Sequence, residues 1–194
     1  MSEDNRARCW WPGGIEGADP LMVVYHDSEW GVPVDDDREL FERLALESFQ
    51  AGLSWITILR KRESFRRAFD GFDPRKVAGY KDADRARLLV DAGIVRNRAK
   101  IEAVIGNAAA FLAVGIESGT FAAFLADRLP RPAPTLPPTA TSADMRTTTP
   151  ESDALSADLR RRGFRFVGST IVYAFLQSVG LVDDHLPGCF RYRG

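Results

Sequence analysis

Residues 35–52, DDDRELFERLALESFQAG, place apolar side chains at positions 40, 41, 44 and 45. That spacing gathers them on one face of a helix and is unlike the alternation of a half-buried strand. Asp36 or Asp37 can cap the first turn, and Gly52 can end the last. The same pattern returns along the chain. After Leu53 and Ser54, WITILRKRESFRRAF carries apolar residues at 55, 58, 59, 65 and 69 before FDGFDP closes it with turn residues. DADRARLLVDAGI and NRAKIEAVIGNAAAFLAVG give two more helices joined through Gly93, the pattern of an antiparallel helical hairpin. A short helix is expected over GTFAAFLADRL. Thr149 with Pro150 starts another that runs to Gly163 with arginines in its last turn, and VGSTIVYAFLQSVG forms the last. No strand-rich region or internal repeat interrupts this series, so the predicted fold is all-α. Residues 129–150 hold six of the chain's 11 prolines and no helical period, which predicts an extended linker or surface loop.

A chain of 194 residues with 45% hydrophobic content can bury one core, as a single domain over residues 1–194 or two closely apposed lobes, and leaves no room for a second enzyme domain. The start, MSEDNRAR, is charged and lacks the apolar stretch of a signal peptide, and no uninterrupted apolar run is expected to span a bilayer. The expectation is a cytoplasmic protein without a membrane partner. The formal charge of −1 weakens any case for strong nonspecific binding to polyanions, while leaving room for a local basic face. The cluster RKRESFRR, with Arg60, Lys61, Arg62, Arg66 and Arg67, reads as a solvated helix face.

Two cysteines are too few for the disulfide framework of a small secreted domain, which leaves plain thiols, metal ligands or a redox pair. They accompany the only two histidines, Cys9 with His26 near one end and His185 with Cys189 near the other. Two thiolates and two imidazoles would fill a tetrahedral zinc shell with no open position, the pattern of a structural site. The separation of the pairs matches no zinc-finger spacing, and a cysteine or histidine in such a chain is commonly a packed residue. Spacing alone leaves both readings standing.

Read together, RCWW, YHDSEWGVP, LESFQAGLSWITILRKRESF, DAGIVRNRAKI, TTTPESDALSADLRRRGFRFVGSTIVYAFLQSVGL and VDDHLPGC resemble the bacterial 3-methyladenine DNA glycosylase I family over nearly the whole chain. The resemblance implies an all-helical fold of the helix-hairpin-helix glycosylase type. It also implies one structural zinc ion per chain on Cys9, His26, His185 and Cys189, so that residues 1–30 and 181–194 meet. The implied activity is release of 3-methyladenine from alkylated double-stranded DNA by a monomeric enzyme that does not cut the strand. A base-removing enzyme must extrude its target, hold it in a pocket, fill the space left behind and grip phosphates.

By resemblance Glu47 and Tyr25 hydrogen-bond the flipped base, Trp55 stacks on it, and Trp11 and Trp30 help close the pocket. Such residues suit a base that is already cationic, since aromatic faces attract cations and a carboxylate accepts from the base's edge. The turn at Gly52, with Gln50 and Leu53, corresponds to the family's DNA wedge. Gly93 with Arg96, Arg98 and Lys100 offers a phosphate site at a helix start. Taken singly, each tryptophan and leucine reads equally as core, and each charge as solvated surface.

Two features depart from the family pattern. Met22 stands where an aromatic pocket residue is expected, and Phe49 where a polar residue near the wedge is expected. No aspartate lies between Asp91 and Asp127, so the catalytic aspartate of wider helix-hairpin-helix glycosylases is missing, as the resemblance implies. A charged leaving base needs little activation of water. Two other functions fit parts of the sequence: a binder of damaged DNA that cuts nothing, against which Glu47 beside Trp55 argues, and a Cys9/Cys189 redox protein, which leaves both histidines unexplained.

Overall fold

A computed structural model describes residues 6–13 and 19–194. Within the N-terminal segment expected at the metal site, residues 1–5 and 14–18 lie outside the described residues. Helices α1 (Trp10–Gly13), α2 (Pro20–Ser28), α3 (Asp37–Gln50), α4 (Trp55–Ala68), α5 (Pro74–Ala78), α6 (Asp82–Val90), α7 (Arg98–Ser118), α8 (Phe121–Ala126), α9 (Pro150–Arg161) and α10 (Ser169–Ser178) follow in order. The described residues contain no strand; one isolated parallel bridge pairs Thr135 with Asp183.

α3 occupies the centre, packed by α4, α7, α8 and α10. Its start divides the work of two aspartates. Asp36 caps α3 itself, accepting from the Glu39 N–H at 2.9 Å. Asp37 instead reaches the N-terminus of α8, where it accepts from the N–H groups of Phe121 and Ala122 at 2.9 and 3.0 Å. Along α3, Leu40, Phe41, Leu44, Ala45, Leu46 and Phe49 are all buried. Phe49 is fully enclosed, with Phe65 at 4.6 Å and Phe69 at 5.8 Å between ring centroids. Where a polar residue was expected, the structure therefore has a core residue packed against α4 and the turn that follows it.

Lys100 corrects another expectation. It is only 6% exposed, and its ammonium donates to the carbonyls of Phe49 at 2.7 Å and Ala51 at 2.5 Å. These are end carbonyls of α3, which have no partner within the helix. Lys100 caps α3 and offers nothing to a phosphate. Gly93 also serves the fold: its N–H is taken by Asp91 Oδ1 at 2.7 Å. A Cβ there would lie 2.9 Å from the Ser64 Cβ of α4, so only glycine lets the turn between α6 and α7 sit on α4.

Three short helices escaped the sequence reading. α1 and α5 have four and five residues, below what periodicity can register, and α2 has nine with no strong apolar face. The segment FDGFDP is indeed a turn, with Gly71 at φ +63°, but Asp73 immediately caps α5 through the Arg75 N–H. α7 departs from the expectation about membranes, being long and apolar enough by composition to cross one. Its Ile101, Val104, Ile105, Ala108 and Phe111 are buried where it packs on α3, α5, α6 and α8, the burial a soluble core demands of such a helix.

The proline-rich stretch is more than a surface connection. Leu129 and Leu136 are buried, the Pro134 carbonyl accepts from the Asp183 N–H at 3.0 Å, and the Leu136 carbonyl accepts from Tyr192 Oη at 2.9 Å. The loop is thereby tied to the C-terminal segment that carries His185 and Cys189.

Replacing Lys100 with methionine keeps the apolar stem and removes the donor to α3's end carbonyls. Denaturant unfolding is expected to show a loss of about 1–3 kcal/mol; an unchanged midpoint would mean those carbonyls do not depend on Lys100.

Candidate active site and metal centre

The four candidate metal ligands converge from both ends of the chain. Cys9 precedes α1, His26 sits near the end of α2, and His185 and Cys189 follow α10. All four are buried, and one donor atom from each lies within 4.8 Å of every other. Cys9 Sγ is 3.6 Å from His185 Nδ1, Cys189 Sγ is 3.6 Å from the same nitrogen and 3.5 Å from His26 Nε2. A tetrahedral ion with sulfur ligands at about 2.3 Å and nitrogen ligands at about 2.0–2.1 Å requires S···N edges of about 3.6 Å, so the spacing fits.

The surrounding hydrogen bonds fix which imidazole nitrogen faces the centre. His26 Nδ1 donates to Asp27 Oδ1 at 2.8 Å, and Arg8 grips that carboxylate, with Nη2 2.7 Å from Oδ2. His185 Nε2 donates to the Trp30 carbonyl at 3.2 Å. Each leaves its other nitrogen as an acceptor toward the cluster. The sulfurs accept from the N–H groups of Leu186 and Arg191 at 3.4 and 3.5 Å. Burial pushes the Cys9 thiol up to about 12 and His185 down to about 4. The imidazoles are thus ready as neutral ligands, and a cation is what would turn the thiols into thiolates. Gly31 makes the approach possible: with φ at +74°, a Cβ there would stand 3.0 Å from His185 Nε2.

Beside this centre lies a cleft of about 330 Å³. Tyr25 reaches it from α2, Trp30 from the turn that follows, Glu47 and Gln50 from α3, and Trp55 from the first position of α4. Tyr25 and Trp55 stand 5.2 Å apart between ring centroids, and Trp11 and Trp30 5.1 Å apart. Trp11 and Trp30 do both things the sequence left open. They line the cleft, and they pack on the metal cluster, Trp30 edge-on to His185 at 4.6 Å and Trp11 to His26 at 5.4 Å.

Among the described residues, Glu47 is the single carboxylate lining the cleft. It is 4% exposed, and its Oε2 is buried with no hydrogen-bond partner among the described residues, as is Trp55 Nε1. Burial raises the Glu47 carboxyl to about 8, against a smaller downward pull from Arg43. Burial, and then Glu47, push the Tyr25 hydroxyl well above its ordinary range. A cleft with aromatic walls and one unpartnered acceptor suits a flat, cationic or hydrogen-bond-donating guest. It also contains an unpartnered donor.

Other expected residues stand at the rim or away from it. Met22 lines the cleft, in the place of the expected aromatic. Leu53 is 41% exposed beyond Gly52, whose φ is +78°. Arg96 and Arg98 are exposed at the start of α7, while Gly93 and Lys100 are committed to the fold as described. Sequence reasoning missed Trp10, Met145, Arg146, Thr147, Ala174 and Gln177, all of which line the cleft. Met145 to Thr147 belong to the proline-rich loop, where a lone methionine in a polar run was the only local sign of burial.

A family model described as methyladenine glycosylase matches residues 15–192. The DNA-3-methyladenine glycosylase 1 of Escherichia coli (strain K12) is 48% identical over 187 residues, covering 96% of this chain and 97% of that protein. A crystal structure of 3-methyladenine DNA glycosylase I superposes with a TM-score of 0.90 at 46% identity, over 96% of this chain and 100% of the other. A Staphylococcus aureus 3-methyladenine DNA glycosylase I, solved for the structural basis of 3-methyladenine recognition, gives 0.86 at 39% identity, over 91% and 93% of the two chains.

The raised Glu47 carboxyl has a consequence for stability. The folded protein holds a proton there up to pH of about 8, whereas an ordinary glutamate releases it near 4.5. Between those values folding takes up a proton, so this group's contribution to stability falls as pH rises. Glu47→Gln does not titrate. Its melting temperature is expected to gain on that of the unsubstituted protein between about pH 5 and pH 9, by about 2–4 °C for each kcal/mol. A constant difference across that range would show that the carboxyl is not raised.

Proposed function

We infer that this chain, which belongs to the methyladenine glycosylase family, is a DNA-3-methyladenine glycosylase that excises 3-methyladenine from alkylated DNA. The observation that carries the reading is the buried, unpartnered Glu47 carboxyl between Tyr25 and the first residue of α4, Trp55. In 3-methyladenosine the ring carries positive charge, so breaking the bond between base and sugar returns the bonding pair to the ring and leaves a neutral base. Water then adds to the sugar carbon and loses a proton. Binding that favours the cationic, extruded state can do much of this work.

The whole of residues 1–194 would act as one glycosylase domain, monomeric, on double-stranded DNA. The flipped base would stack on Trp55, with Trp11 and Trp30 closing the cleft and Tyr25 and Glu47 meeting its edge. Gln50 and the exposed Leu53 sit on the turn suited to enter the vacated stack. Arg96 and Arg98, in front of α7 in a turn of the helix-hairpin-helix type, would meet the phosphates. Glu47, meeting the edge of the base, would take the catalytic role in place of an aspartate, and a base that leaves neutral makes strong activation of water unnecessary. None of the described residues lining the cleft is a lysine, which fits base removal without a covalent strand-cutting step.

For the metal centre the reading is one zinc ion per chain, held by Cys9, His26, His185 and Cys189. Bound there, zinc would supply structural cross-linking of the two chain ends, since four protein ligands leave no position for water or substrate. The fit of the donor spacing, and the hydrogen bonds that hold His26 to Asp27 and His185 to the Trp30 carbonyl, support this.

Two measurements test these readings. Purified protein incubated with methylated duplex DNA is expected to release 3-methyladenine well above 7-methylguanine, with Leu53→Ala weakening the grip on duplex DNA more than binding of the free base. Folded protein that releases neither base would overturn the assignment in favour of a DNA-damage binder. Elemental analysis is expected to find zinc near one per chain. Cys189→Ala should lower the melting temperature while the remaining folded protein keeps part of its base release. Metal-free protein with a Cys9–Cys189 disulfide would sink the zinc reading.

A further inference from the structure

Within the arginine cluster of α4, Arg60 and Arg67 are exposed as the sequence predicted, but Arg62 is drawn inward. Arg62 is 11% exposed, and it pairs with Glu29 at 2.5 Å and Glu42 at 2.7 Å. Arg66 also pairs with Glu42, at 2.9 Å. The same Glu29 carboxylate pairs with Arg43, whose Nη2 lies 2.8 Å away, and Glu39 accepts a hydrogen bond from that nitrogen, also at 2.8 Å. With Glu63, which reaches Arg66 at 2.7 Å, three guanidinium groups thus face four carboxylates, and none of these pairs involves Glu47.

Arg43 is its innermost member. Only 4% of it is exposed, and it lies one turn before Glu47 on α3, the spacing that places two side chains on one helix face. Its Nε and Nη1 are buried with no hydrogen-bond partner among the described residues, the same condition as Glu47 Oε2. A buried guanidinium with two idle nitrogens is an unfavourable way to hold a helix in place, because an apolar side chain would fill the space without desolvating a charge. Its position answers a need of the cleft instead. A carboxyl as enclosed as Glu47 tends to stay protonated and then cannot accept from both sides of an incoming cation.

We propose that Arg43 is a positioning residue for base recognition: anchored by Glu29 and Glu39, it holds a positive charge one turn from Glu47 on the same face of α3, so that Glu47 meets an arriving cationic base as a carboxylate. The proposal rests on the role assigned to Glu47 above. Other charged or titratable groups around Glu47 are few. Tyr25 approaches from α2 and Arg146 lines the same cleft from the proline-rich loop, while Glu29 and Arg62 act on Tyr25; α10 contributes the uncharged Gln177, with Asp184 behind it at 2.7 Å. Arg43 is the group that pulls Glu47 downward against burial, and it also pulls on Tyr25. Removing Arg43 leaves no stranded carboxylate, since Glu29 keeps Arg62 and Glu39 is 43% exposed.

The test compares Arg43→Met, Arg43→Lys and Glu47→Gln with the unsubstituted full chain, following 3-methyladenine release from methylated duplex DNA across pH, with KM and kcat separated and melting temperatures in parallel. In Arg43→Met the rise of activity with pH is expected to move upward by about one pH unit, equivalent to about tenfold in KM near neutrality, at an unchanged or higher melting temperature. Arg43→Lys should restore most of the profile by returning the charge. A profile for Arg43→Met that superposes on the unsubstituted protein, while Glu47→Gln loses base release, overturns the proposal and leaves Glu47 standing. Losses equal at every pH, tracking a fall in melting temperature in both Arg43 variants, overturn it in favour of a structural role. Full release by Glu47→Gln removes the reading on which it rests.

Discussion

Helix α3 is buried from Leu40 to Phe49 without a break, and that enclosure governs much of the molecule. A helix at a protein surface can turn its charged residues to water; one surrounded on all sides must satisfy them internally or leave them strained. α3 does both. Glu42 finds Arg62 and Arg66, Ser48 donates to the Leu44 and Phe166 carbonyls at 2.9 and 3.1 Å, and its C-terminal carbonyls find Lys100. Glu47 is left over. The one carboxylate that the surrounding packing does not pair is the one that opens on the aromatic cleft.

What the sequence could reveal follows from which interactions are local. Periodicity and caps located α3, α4, α6, α7, α8, α9 and α10 because those signals lie within a few residues of the elements they define. α1, α2 and α5 were invisible because short helices are held by their neighbours more than by their own pattern. Charges misled for a related reason. Arg62 and Lys100 carry the signature of solvated or phosphate-binding residues, and only the approach of α2, α3 and α4 shows that one pairs with Glu29 and Glu42 and the other caps α3. Asp37 was recognised as a cap, but for the helix on which it sits; its partner, α8, lies 84 residues away in sequence.

The site itself was legible in unequal parts. Cys9, His26, His185 and Cys189 stood out because the chain contains no other cysteine or histidine, and the structure brings all four together. Tyr25, Trp55 and Glu47 emerged only through resemblance, since no rule of spacing joins residues from α2, α3 and α4 into one cleft. The wall supplied by Met145, Arg146 and Thr147 could not be read at all. A proline-rich stretch without periodicity reports that it is not a helix, and says nothing about which surface it crosses.

The metal cluster and the cleft share walls. Trp30 lends its carbonyl and ring edge to His185 and lines the cleft beside it, while Tyr25 and His26 are consecutive residues of α2. A cleft that keeps a carboxyl oxygen and an indole N–H unpartnered opposes folding by leaving those groups desolvated. Such a region opens easily unless something else holds its edges. The four cysteine and histidine side chains gathered from the two chain ends, together with the loop tied to Asp183 and Tyr192, pack beside those edges. A metal held by them would tie the chain ends next to the cleft, and that tie is what would let the cleft keep groups that no packing partner satisfies.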